Sequence, residues 1–76
     1  MEKKITLYIV ALASVVAAID SESIKENDGV FTVKTGVDVE GVPFTSKRQA
    51  QDAVALTARF GMETVVVSQK RVVKLA

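Results

Sequence analysis

Ile5-Thr6-Leu7-Tyr8-Ile9-Val10-Ala11-Leu12-Ala13-Ser14-Val15-Val16-Ala17-Ala18-Ile19 is the stretch on which the reading of this chain turns. It is entered from Glu2-Lys3-Lys4 and left through Asp20-Ser21-Glu22. A spanning helix needs about 20 apolar residues, and this run is 15 long with Thr6 and Ser14 inside it, so its length argues against a membrane span. A secretory signal fits better: Lys3-Lys4 make a basic n-region, the run has h-region length, and Val16-Ala17-Ala18 offers small residues for cleavage. On that reading residues 1–18 are a signal, and 19–76 form a small α+β domain exported after cleavage near Ala18. The reading adopted here instead splits the run and folds it into a single domain, 1–76, soluble and cytoplasmic.

The split follows composition. Ile5 to Val10 is dense in β-branched and aromatic residues, which suits a strand buried on both faces. Leu12, Val15, Val16 and Ile19 then fall at i, i+3, i+4 and i+7, the apolar stripe of a helix that the polar segment Asp20 to Glu26 could prolong, with Ser14 as a candidate N-cap. Asn27-Asp28-Gly29 tolerates left-handed backbone, ending that helix and turning the chain. A second strand is expected over Val30 to Thr35, with Phe31 and Val33 on one face. Pro43 cannot donate a ladder hydrogen bond, so a third strand, about Val39 to Phe44, belongs at an edge or ends early.

Ser46-Lys47-Arg48-Gln49 reads as a capping box that opens a helix. Ala50, Ala53, Val54, Thr57 and Phe60 form its expected buried stripe, and Gly61 its left-handed end. Glu63 to Ser68 is a strand, and Arg71 to Leu75 continues it or folds back around Gln69-Lys70. Shifting the chain by 35 residues lays Val15 on Ala50, Ala18 on Ala53 and Val30 on Val65, as in two βαβ halves. The expected fold class is therefore α+β, a βαββαβ split-βαβ (ferredoxin-like) arrangement. Its four-stranded sheet would carry two helices on one face and leave the other open.

Leu7-Tyr8-Ile9-Val10-Ala11-Leu12 resembles the first-strand motif of RNA-recognition domains. Phe44-Thr45-Ser46 with Ala50 and Ala53, and Val72 to Ala76, are similar to later elements of that family. The resemblance implies a sheet that stacks bases on aromatics. The two third-strand aromatics fall here near Val39 and Gly41, which leaves Tyr8. Tyr8 to Leu12 and Val65 to Ala76 also resemble the inhibitory propeptides of subtilisin-like proteases, which implies an inhibitory tail at Val73-Lys74-Leu75-Ala76. Phe44 to Leu75 is similar to the peptidoglycan-binding SPOR domain.

The inventory bounds the chemistry. With no Cys and no His there is no disulfide, Cys/His zinc site, thiol nucleophile or imidazole base. Gly29, Gly36, Gly41 and Gly61 are isolated, so no Gly-rich phosphate loop exists. Asp38 and Glu40 share a face of an extended segment but read as a solvated turn, and Ser46 is explained by capping. No catalytic, cofactor or metal residue is assigned, and no small-molecule substrate or cofactor is expected.

Charge is nearly balanced, 10 Lys and Arg against 9 Asp and Glu, yet unevenly placed. Asp20 to Gly41 carries six acids and two bases, and Lys47 to Ala76 six bases and two acids. Tyr8, Lys34, Lys47, Arg48, Arg59 and Lys74 form the candidate binding surface. The expected function is a non-enzymatic protein-interaction module, binding a partner or a second copy through an open sheet face or strand edge. The alternatives are nucleic-acid binding and protease inhibition.

Overall fold

The computed structural model describes residues 1–74. Seven elements follow in order: β1 (Glu2–Leu12), α1 (Ala13–Ala17), β2 (Ile24–Asn27), β3 (Val30–Val33), β4 (Val42–Phe44), α2 (Lys47–Ala58) and β5 (Thr64–Lys74). The five strands form one mixed sheet in the order β2-β3-β5-β1-β4. β1 runs antiparallel to β5 over eleven residue pairs, from Glu2 opposite Lys74 to Leu12 opposite Thr64. β3 lies parallel to β5, and the short β2 and β4 form the edges.

This corrects the ferredoxin-like expectation on three points. The sheet has five strands, not four, because residues 24–27 are a strand and not the end of a helix. Asp28 (φ 51) and Gly29 (φ 77) supply the paired left-handed residues of a two-residue hairpin turn, which joins β2 to β3. The helix expected from Leu12 onward shrinks to the five residues of α1.

Third, the two helices lie on opposite faces. Residues paired across neighbouring strands share a face, and successive residues alternate. Ile9, Ala11, Val33 and Val67 therefore meet α1 through Val16, while Val10 and Val66 meet α2 through Ala50, Ala53 and Val54. The overlay of two βαβ halves consequently has no counterpart in space. Each helix is placed by whichever face its neighbouring strands leave apolar, and β1 is apolar on both around Ile9 and Val10.

Residues 34–41 form a strap across the α1 face, where Val37 and Val39 pack on the core. Gln69 anchors it from below. That side chain is 2% exposed, and its Nε2 donates to the Lys34 carbonyl at 2.9 Å and the Val37 carbonyl at 2.7 Å. No hairpin forms at Gln69-Lys70, and β5 runs through unbroken.

α2 begins after Ser46, as expected, and Gly61 takes φ 78 beyond its end. The capping box does not form: Ser46 is the N-cap but makes no side-chain capping hydrogen bond. Phe60, expected in the buried stripe, is 77% exposed because the helix closes at Ala58 and the following turn swings it outward with Met62. The third strand is an edge strand, limited to Val42–Phe44.

β1 and β5 outrun their neighbours. β4 reaches no further than Tyr8, and β3 no further than Gln69. Residues 2–6 and 70–74 thus form a two-stranded ribbon, and the chain measures 42 × 26 × 21 Å. No helix among the described residues is long and apolar enough to cross a membrane.

Candidate functional site

The sheet register places one row of residues across all five strands. Lys25 lies opposite Thr32, Thr32 opposite Ser68, Ser68 opposite Tyr8 and Tyr8 opposite Phe44. The row belongs to the face that carries α2, since Tyr8 and Phe44 pack against the α2 cluster. On one side of it comes the apolar row Val30, Val66, Val10, which α2 covers. On the other side come Thr6 with Lys70, Lys4 with Val72 and Glu2 with Lys74, out on the ribbon.

Half of this face is therefore apolar and roofed, and half is polar and open. The reason is local. α2 starts above the Tyr8 row and runs away from the ribbon, its Thr57 hydroxyl sharing a 2.8 Å hydrogen bond with the Thr64 hydroxyl near the far end of β5. Hydroxyls and lysines replace most of the valines where the roof ends, with Val72 left exposed among them.

At the boundary is a cleft of about 260 Å³ lined by Tyr8, Asn27, Asp28, Val30, Thr32, Lys47 and Ser68. Tyr8 is half-buried on its floor, Asn27 and Asp28 come from the hairpin turn, and Lys47 from the first turn of α2. The amides of Lys47, Arg48 and Gln49 precede the first intrahelical bond, Ala50 N–H to the Ser46 carbonyl at 3.2 Å, so this helix end favours negative charge.

Charge follows the same division. The ribbon residues 2–6 and 70–74 include five bases (Lys3, Lys4, Lys70, Arg71, Lys74) and one acid, Glu2, a net +4. The rest of the chain has five bases and eight acids, a net −3. Lys4, Lys25, Lys70 and Lys74 fall on rows of the open face, with Lys47 above it.

Of the residues singled out from sequence, Tyr8 and Lys47 meet in the cleft, and Lys74 lies on the same face at the ribbon tip. Lys34 lines an adjoining groove at the hairpin edge with Lys25 and Thr32. Arg48 is exposed on the first turn of α2 but does not line the cleft, and Arg59 lies at the opposite end of that helix, away from it. Val73 and Lys74, read as part of an inhibitory tail, are paired in β5, and Leu75 and Ala76 lie outside the described residues. Lys4, Thr6, Lys25, Thr32, Ser68 and Lys70 were not singled out. Their shared face depends on strand register, although the alternation Lys4, Thr6, Tyr8 in β1 was a visible hint.

Among the described residues no group of three or more Asp or Glu is arranged to hold a metal ion. Leu56, Phe60 and Met62 are each exposed around the far end of α2. No protein-family model, no curated protein and no solved structure matches this chain.

Proposed function

We propose that this chain binds single-stranded nucleic acid across the open half of the α2 face. The observation that carries this reading is the polar row Lys25, Thr32, Ser68, Tyr8, continued by Thr6, Lys70 and Lys4 on the ribbon. Lysines and hydroxyls are the groups that take phosphate oxygens, and they position a strand without reading its sequence. Tyr8 adds a ring on which a base can stack, an interaction worth about 1 to 3 kcal/mol. A single strand suits the cleft, because only an unpaired base can leave its stack and enter it.

The test is titration of labelled 12-nucleotide single strands and the matching duplex, followed by fluorescence anisotropy over a salt series. With four or five lysines on phosphates, log K is expected to fall with log salt at a slope of about −3. Lys4→Glu with Lys70→Glu should flatten that slope by about 1.4, since each single-strand phosphate contact contributes about 0.7. Tyr8→Leu, which keeps the packing against Phe44, should weaken binding about 5- to 150-fold at unchanged slope. No binding at about 50 mM salt, or variants that bind like the parent, would refute the reading.

A second reading is favoured by a separate observation. Among the described residues, the outer edge of β1 from Glu2 to Leu7 has no neighbouring strand, since β4 pairs with Tyr8 to Val10. Such an edge can take an added strand from a partner protein or a second copy. Lys3 and Lys4 on it disfavour indiscriminate pairing. Sedimentation over a wide concentration range tests the second-copy form: a reversible dimer is expected, and a chain that stays monomeric throughout removes it.

A further inference from the structure

We propose that the cleft between Tyr8 and the β2–β3 turn selects guanine. The inference rests on the nucleic-acid reading above and adds to it a base preference. Most of the cleft suits a phosphate backbone: Lys47 donates, and the Thr32 and Ser68 hydroxyls donate or accept. Asp28 does not. A carboxylate beside a strand of phosphates repels it, so a surface that merely tracked the backbone would be better without one. Asp28 is nevertheless held at the cleft by its backbone, in the left-handed first position of the hairpin turn at φ 51 with Gly29 at φ 77.

A carboxylate offers two parallel acceptor oxygens. Guanine alone among the common bases presents two parallel donors on its Watson–Crick edge, the N1–H and an N2–H. Cytosine and adenine place one amino group beside a bare ring nitrogen, and thymine and uracil place one N–H between two carbonyl oxygens. Both arrangements set an acceptor against the second oxygen of Asp28. Guanine O6 and N7 are acceptors, matched by the Lys47 ammonium and the Asn27 amide on the same cleft. A purine stacked on Tyr8 fits a volume of about 260 Å³.

The experiment compares 12-nucleotide strands of alternating guanine and thymine, of alternating inosine and thymine, and of thymine alone, against the parent protein and Asp28→Asn. Asparagine is at home in this turn position, so the variant keeps the hairpin. The parent should prefer the guanine strand over thymine about 5- to 150-fold, the range for one bidentate contact. Inosine, which lacks the 2-amino group, should lose most of that preference. Asp28→Asn should abolish it while binding the thymine strand at least as tightly, one repulsive charge having gone. Equal affinity of the parent for guanine and thymine strands, or a preference that survives Asp28→Asn, overturns the guanine assignment and leaves the nucleic-acid reading standing. If no strand binds at all, both fall.

Discussion

Gly41→Ala is expected to lower the stability of this chain by about 3 kcal/mol, the upper part of the range for forcing extra atoms into packed structure. Gly41 is where the strap leaves the α1 face and rounds the edge of β1 to become β4. A Cβ there would overlap the Val10 carbonyl oxygen and come within 2.8 Å of Ile9 Cγ2. The Val10 oxygen is backbone in the middle of the sheet, and Ile9 is 1% exposed, so neither can swing aside. The whole strap must shift, or β4 must come away from β1. For 76 residues a total stability of about 4 to 11 kcal/mol is ordinary, so the loss is a large share of it. Urea unfolding followed by circular dichroism measures it. Gly36→Ala is the comparison, since a Cβ at Gly36 meets nothing within 4 Å and pays only for its φ of 93, about 1 to 2 kcal/mol. Should Gly41→Ala unfold at the same urea concentration as the parent, the close crossing at Val10 is wrong.

Gln69→Leu is expected to cost a similar amount, about 3 kcal/mol, by a different mechanism. The Gln69 amide uses its Nε2 hydrogens on the Lys34 and Val37 carbonyls, and its Oε1 accepts from Arg71 Nε at 3.2 Å. Leucine fills nearly the same space and removes all three bonds. The strap carbonyls, placed over a buried row, then lose their donor, and a buried group left unsatisfied costs about 1 to 3 kcal/mol. The added apolar surface offsets part of that. Because the damage begins in the strap, hydrogen exchange should rise first at residues 34–41 and only later in β1 and β5. An unchanged unfolding midpoint, or uniform loss of protection across the sheet, would show that Gln69 does not hold the strap.

These two residues also mark the boundary of what was legible. Gln69-Lys70 inside a β-rich run looks like a turn, because Gln69 has no acceptor for its amide nitrogen close by in the sequence. Its acceptors lie 32 and 35 residues away. Residues 20–26 were compatible with a polar helix end, and Ile24 alone carried too little pattern to say otherwise. The hairpin with β3 decides the matter by pairing Ile24 with Val33 and setting both on the α1 core. Phe60 matched the helical stripe by spacing, but the helix stops before it. The binding surface divides in the same way. Tyr8 and Lys47 stood out as residue types, whereas the row that joins Tyr8 to Ser68, Thr32 and Lys25 consists of partners on four different strands.

Legible along the chain were the chemical inventory, strands over about 5–10, 30–35, 39–44 and 63–68, the helix beginning after Ser46, and the concentration of basic residues in the second half. Those features are written in residue type and in periods of two or 3.6, which act over a few neighbours. The strand order, the opposite placement of α1 and α2, and which lysines share a face with Tyr8 come from the packing of distant segments. Strand register is a long-range choice, and a slip of one residue exchanges the two faces of a strand. In this chain register is settled by β1 against β5, where Val10 opposite Val66 and Ile9 opposite Val67 are buried on opposite sides of the sheet. The Ile5 to Ile19 stretch accordingly opens as half of the central strand pair, and that pairing lays the lysines of the ribbon beside one another.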